Sequence, residues 1–173
     1  MEKSNIDEKI KLLTGSGMWH TQEVEGLPSV HLSDGPHGLR KQEEKERQNN
    51  VSLVSTCYPT ASALACSWDV TAAERLGRAV AKEAWNADVA VLLGPGINMK
   101  RSPLCGRNFE YFSEDPFLAG RLGAAYVSAA QGEDVAVSLK HFAANNQETN
   151  RQTSNSQIDE RALREIYLSA FEY

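Results

Sequence analysis

Residues 88 to 98 read DVAVLLGPGIN, and residues 135 to 141 read VAVSLKH. Each holds a short, continuously apolar run with β-branched side chains, the pattern of a strand in a parallel sheet covered on both faces. Each run also ends on chemistry. The first breaks into Gly94-Pro95-Gly96 with Asn98 behind it, and the second into Lys140 and His141. Two further segments of strand length are read at Pro28 to Ser33 and at Ala61 to Cys66.

Helical patterns separate these runs. Asp69 stands where its carboxylate accepts free amides of a first turn, and Val70, Ala73, Leu76 and Val80 follow on one face of a helix to about Asn86. Ser113-Glu114-Asp115-Pro116 sets a cap and then proline at the first helical position, ahead of Leu118, Leu122, Ala125 and Ala129. A further helix starts near Asp159 and carries Leu163, Ile166, Tyr167, Ala170 and Phe171. Before the first strand, Ile6, Ile10 and Leu13 share a face, with Ser4 and Asp7 spaced as a capping box and Gly15 as the stop. The step from strand to strand is about thirty residues at first and longer later, which suits successive βα units.

The expected class is therefore α/β: a partial (β/α)8 TIM-type barrel, about the first four βα units, in one domain over residues 1–173. A closed barrel usually needs roughly 250 residues, so this length falls short of one. An open doubly wound sheet is the competitor. Alternation alone does not exclude it, but no G-x-G-x-x-G follows the first strand.

Composition narrows the function classes. Hydrophobic residues make up 41% and charged residues 24%, with no apolar run long enough to span a bilayer, so no membrane role is expected. A net charge of −5 argues against a nucleic-acid partner. The opening MEKSNIDEKIKLLTG lacks the apolar core of an export signal, so the expected location is cytoplasmic. Cys57, Cys66 and Cys105 lack close pairing and read as reduced, mostly buried thiols. KQEEKERQNN, residues 41 to 50, reads as a solvated loop.

In parallel barrels the chemistry gathers at the carboxyl ends of the strands. Polar groups fall there in this chain. Ser33-Asp34-Gly35-Pro36-His37-Gly38-Leu39-Arg40 follows the first strand; Lys100, Arg101, Arg107 and Glu110 come after Gly94-Pro95-Gly96; and Lys140, His141, Asn145, Glu148 and Arg151 follow the last. Such a mixture fits a polyhydroxyl ligand, because a carboxylate accepts from two neighbouring hydroxyls while Arg, Lys and His donate to others. Taken singly, each residue has a plainer reading: Asp34 as a turn cap, Arg107 with Glu110 as an ordinary ion pair, His141 as a satisfied structural histidine, Asp115 as a helix cap. Trp68 or Tyr111 could stack on a sugar, although core packing is the commoner fate of a lone aromatic.

The stretches LPSVHLSDGPHGLRKQ, YPTASALACSWD, GPGINMKRSPLCGRNFEYFSEDPFLAG, VAVSLKHFAANNQETNR and IDERALREIYLSAFEY, in this order, resemble family 3 glycoside hydrolases, in particular their β-glucosidase branch. The resemblance implies a retaining glycosidase with a TIM-type first domain and a second α/β sandwich domain. It implies that Asp34 holds sugar hydroxyls, that Arg107, Lys140, His141 and Arg151 line the same pocket, and that Arg40 and Glu110 support it. KHFAANNQE lacks the histidine that the family's N-acetylglucosaminidases carry after Lys-His, which favours glucosides, or pentosides as in a β-xylosidase or α-L-arabinofuranosidase relative. Retention needs two carboxyl groups about 5 to 5.5 Å apart. The resemblance places the nucleophile in a later SDW-like segment and the acid/base in the second domain, both expected beyond Tyr173. Residues 1–173 are thus expected to bind a sugar or β-glucoside without turning it over. No metal or organic cofactor is implied, and half a barrel would offer an exposed edge for self-association.

Overall fold

Asp115 and Pro116 start a helix of 16 residues. In the computed structural model, which describes residues 6–42 and 51–173, helix α4 (Pro116–Gln131) has proline in its first turn. The Asp115 carboxylate accepts from Phe117 N at 3.0 Å and Leu118 N at 3.2 Å. Helix α3 (Val70–Asn86) starts the same way, with Asp69 accepting from Thr71 N at 2.8 Å. Asp115 thereby satisfies two of the orphan amides at its helix start and Asp69 one. Each helix then turns into a strand through an aspartate in the left-handed region, Asp88 at φ 54° and Asp134 at φ 59°.

The strands β1 (Leu32–Asp34), β2 (Val91–Leu93) and β3 (Ala136–Val137) form one parallel sheet in the order β1-β2-β3. Leu32 is level with Val91 and Asp34 with Leu93; Val91 is level with Ala136 and Leu92 with Val137. Val89, Leu92 and Val135 are buried beneath Leu76, Val80 and Ala84 of α3 and Tyr126 and Ala130 of α4. Gly77 lets the two helices touch, since a Cβ there would lie 2.4 Å from Tyr126 O.

Three expectations are corrected. Ala61 to Cys66 is not a strand but helix α2 (Ala61–Ala65), so the described sheet has three strands and not the four that four βα units require. Alternate alanines favour a helix, and Thr60 Oγ1 caps it by accepting from Ala63 N at 3.3 Å. The N-terminal helix α1 (Ile6–Lys11) buries no residue: Ile6, Ile10 and Leu13 are all exposed. Cys57 and Cys66 are exposed, and Cys105 alone of the three is buried.

The last helical segment begins as α5 (Glu160–Ala162) behind an Asp159 cap, widens over residues 163 to 167 into a π turn and ends in a 3-10 turn at Ser169–Phe171. Ser4 and residues 43 to 50 of the polar run lie outside the described residues. Among the described residues no helix is long and apolar enough to cross a membrane.

Candidate functional site

The turn after β1 is held tight by a glycine. Gly35 has φ 114°, and a Cβ there would meet Gly38 O at 2.0 Å. Arg40 N donates to Asp34 O at 2.9 Å, which brings Arg40 back beside the strand end. From behind, Tyr126 of α4 donates through its hydroxyl to Pro36 O at 2.9 Å. Core packing and turn geometry together fix where Asp34 points.

Beyond β2, the chain resumes pairing after Gly94-Pro95. Lys140 N donates to Pro95 O at 3.1 Å, and Ile97 N donates to Lys140 O at 2.8 Å. Lys140 is thereby set on the rim formed by Asp34 and Gly96. Its Nζ donates to Asp34 Oδ1 at 2.6 Å and lies 3.3 Å from Glu110 Oε2. Glu110 sits on the 3-10 turn Asn108–Glu110 and also takes the Nε of Arg107. Arg107 Nε is 3.9 Å from Glu148 Oε1, and Glu148 Oε2 is 3.5 Å from Arg151 Nε. Six side chains thus alternate in sign along one line: Asp34, Lys140, Glu110, Arg107, Glu148, Arg151.

Burial alone would raise the Asp34 carboxyl. The hydrogen bond and charge of Lys140, with Gly35 N–H and the Arg107 charge, outweigh it and hold Asp34 below the usual carboxylate range. Burial likewise works against the charge on Arg107, yet bonding to Glu110 raises its pKa. Asp34 is therefore an ionised acceptor, suited to taking hydroxyl protons and unsuited to giving one up.

His141 is held by a separate network. Asn98, itself buried, accepts from His141 N and donates to His141 O at 2.9 Å. Tyr111 Oη lies 2.8 Å from His141 Nδ1 and accepts from Asn145 Nδ2 at 2.9 Å. Burial pushes His141 down to about 4, and the Arg107 and Lys140 charges push the same way. A neutral ring whose Nδ1 accepts the hydrogen bond from the Tyr111 hydroxyl carries its proton on Nε2, an N–H suited to donating to a ligand. Burial also pushes Tyr111 up to about 12, so its hydroxyl stays protonated.

A cleft of about 450 Å³ is lined by residues 34 to 38, Arg40, Arg107, Phe109, Glu110, Glu148 and Arg151. Five of the residues singled out in the sequence line it together: Asp34, Arg40, Arg107, Glu110 and Arg151. Lys140 joins them through its ion pairs. His141 instead faces an adjoining cavity of about 580 Å³, which shares Arg151. A larger hollow of about 750 Å³ lies between residues 99 to 101 and the segment 157 to 167. Its Asp115 and Asp159 carboxylates are already engaged as helix caps, so it offers fewer free groups. Among the described residues no group of three or more His, Cys, Asp or Glu is placed to hold a metal ion.

Sequence reasoning did not offer Phe109 as a cleft residue; it named His37, Asn98, Asn145 and Glu148 at strand ends without these contacts, and Tyr111 as an aromatic that could stack and not as a partner of His141. Glu148 already stood in the sequence beside Arg151 at the last strand end. The others face the site because of how loops pack, which leaves no periodic trace in the sequence.

Parallel α/β bodies carry their ligand sites at the carboxyl ends of the strands, the end where this chain places its alternating carboxylates and cations. Comparison with known proteins makes this specific. The family model described as Glycosyl hydrolase family 3 N terminal domain matches residues 35–173, and the chain belongs to that family. It is 51% identical over 176 residues to the thermostable beta-glucosidase B of Acetivibrio thermocellus, covering 99% of this chain and 23% of that protein. It is 49% identical over 173 residues to the exo-alpha-(1->6)-L-arabinopyranosidase of Bifidobacterium longum, covering 97% of this chain and 23% of that one. Among solved structures, beta-glucosidase 3B from Thermotoga neapolitana in complex with glucose superposes with a TM-score of 0.88 at 40% identity, over 97% of this chain and 26% of that chain. The chain thus spans about a quarter of the length of the relatives it matches. Those relatives are glycosidases.

Proposed function

We propose that this chain is the sugar-gripping front part of a β-glucosidase-like glycoside hydrolase that removes terminal nonreducing β-D-glucosyl residues with retention. Asp34, Arg107, Lys140, His141 and Arg151 bind the nonreducing-end sugar, and Arg40 and Glu110 brace them. The observation that carries this reading is Lys140, whose Nζ joins Asp34 from one strand end to Glu110 from another loop. Paired cations and carboxylates present a fixed set of donors and acceptors, and a pyranose offers hydroxyls to both. As positive charge develops at the anomeric carbon, charge-assisted bonds to the ring hydroxyls strengthen. A relative bound to glucose, with the same fold at 40% identity, supports a sugar as the ligand.

The nucleophile and the acid/base belong in this reading to further chain, as the greater length of the relatives allows. Asp34 is held ionised by Lys140, which suits hydroxyl recognition better than proton donation. The three-stranded sheet is read as the opening portion of a TIM-type barrel. Its consecutive order β1-β2-β3 is that of the opening strands of a barrel and differs from the 2-1-3 start of a flavodoxin-like sheet; the first half of a 3-2-1-4-5-6 sheet shares it, and the glycosidase family membership is what favours the barrel. A second reading, pentoside rather than glucoside specificity, is favoured by the arabinopyranosidase relative at 49% identity.

The test pairs binding with turnover. Purified chain is expected to bind glucose in calorimetry, to lose that binding in Asp34→Ala, and to release no nitrophenol from p-nitrophenyl β-glucoside. Turnover by the chain itself would overturn the assignment of catalysis to further chain. Tighter binding of L-arabinose than of glucose would select the second reading.

A further inference from the structure

Phe109 is out of character in its surroundings. The cleft's other prominent side chains are charged, and its neighbours Tyr111 and Phe112 are fully buried, yet the Phe109 side chain stays exposed, at 50%. The turn that carries it is pinned on both sides: Ser62 Oγ donates to Asn108 O at 2.8 Å, Asn108 Nδ2 to Ser102 O at 2.7 Å, and Glu110 N to Arg107 O at 3.1 Å. The ring is presented on a fixed turn, with Arg107 and Glu110 on either side committed to the ion line. His37 meets it edge-on, ring centres 5.7 Å apart at 87°. Burial shifts His37 toward its neutral form, the Glu110 and Asp34 charges opposing and the Lys140 charge adding to the effect. The two rings form an aromatic corner in an otherwise ionic cleft.

A pyranose has hydroxyls around its rim and C–H groups on its faces, so a site that serves only the hydroxyls leaves the faces against water. Trp68 and Tyr111, the aromatics considered from sequence, do not line this cleft, and Tyr111 is occupied with His141 and Asn145. Resting on the sugar-binding reading above, we propose that Phe109, braced by His37, is the stacking platform of the cleft. It takes the C–H face of the sugar while the line from Asp34 to Arg151 takes the hydroxyls.

The test follows the proton resonances of methyl β-D-glucopyranoside titrated into the whole 173-residue chain. Ring current from Phe109 should move sugar C–H signals upfield in the wild-type chain and in Phe109→Tyr. Phe109→Leu keeps apolar bulk but removes the ring; it should lose the upfield movement and weaken binding roughly three- to tenfold. A melting curve checks that each variant is folded. Should Phe109→Leu fail to fold, Phe109→Tyr decides: retained movement supports stacking and lost movement overturns it. If Asp34→Ala abolishes binding while Phe109→Leu keeps both affinity and upfield movement, the platform is overturned and the cleft stands. If Asp34→Ala binds as the wild type does, or the wild type binds nothing, the cleft reading fails and the platform with it.

Discussion

Lys140 is the residue on which the site's electrostatics turn. Its side chain is 12% exposed and that of Glu110 6%, so removing the cation leaves a buried carboxylate with Arg107 as its remaining close partner. Lys140→Met is expected to lower stability by about 3 kcal/mol, read from the urea midpoint, because Asp34 loses its ion-pair partner and the buried Glu110 keeps only one of its two. His141 gives a pH signature. Its ordinary value of 6.5 falls to about 4 in the folded chain, so between these values the unfolded state binds the extra proton. Stability is fully present above 6.5 and is lost as pH falls toward about 4, and a series of thermal melts over that window should show it. His141→Gln should flatten this part of the profile. At this scale the sequence made visible which polar residues stand at strand ends. The side-chain directions of Phe109, His37 and Glu148 were not visible, because loop packing and not periodicity sets them.

Helices α3 and α4 were legible to the residue at their starts, since an aspartate before a helical period has a specific job at the free amides. Asp115→Ala removes two such bonds at once and is expected to cost about 1 kcal/mol, measured by chemical denaturation. Gly77 runs against helix propensity but with the packing. Gly77→Ala, favourable in an isolated helix by about 1 kcal/mol, is expected here to destabilise by about 2 kcal/mol, because the new methyl meets Tyr126 O. An increase in stability would show that the helices slide apart freely. Segment 61 to 66 was illegible as a helix because the alternation of units led to a strand being expected there. Its alternating alanines and the Thr60 cap were the local signals against that expectation. The strands are shorter than their apolar runs because Val89 and Val135 are buried without joining the ladder.

Across the molecule, much apolar surface faces water. Ile10, Leu13, Phe117, Phe142 and Ile166 are exposed, and β3 has β2 as its one strand partner among the described residues. Such surface and such an edge favour contact with another chain. Sedimentation velocity of the isolated chain is expected to show association that rises with concentration; a single monomeric species throughout would contradict this. The parallel run of the strands was legible here, whereas which strands would be neighbours and how much surface would be left uncovered were not, since a residue pattern tells which face is apolar and not what lies against it. Asp34 and Lys140 stand 106 positions apart and touch only once β1, β2 and β3 lie side by side. A small molecule that grips both ends therefore works as a mould: present during refolding, it rewards the assembled state alone and raises the yield of native chain, by about 1.4 kcal/mol for each tenfold excess over its dissociation constant.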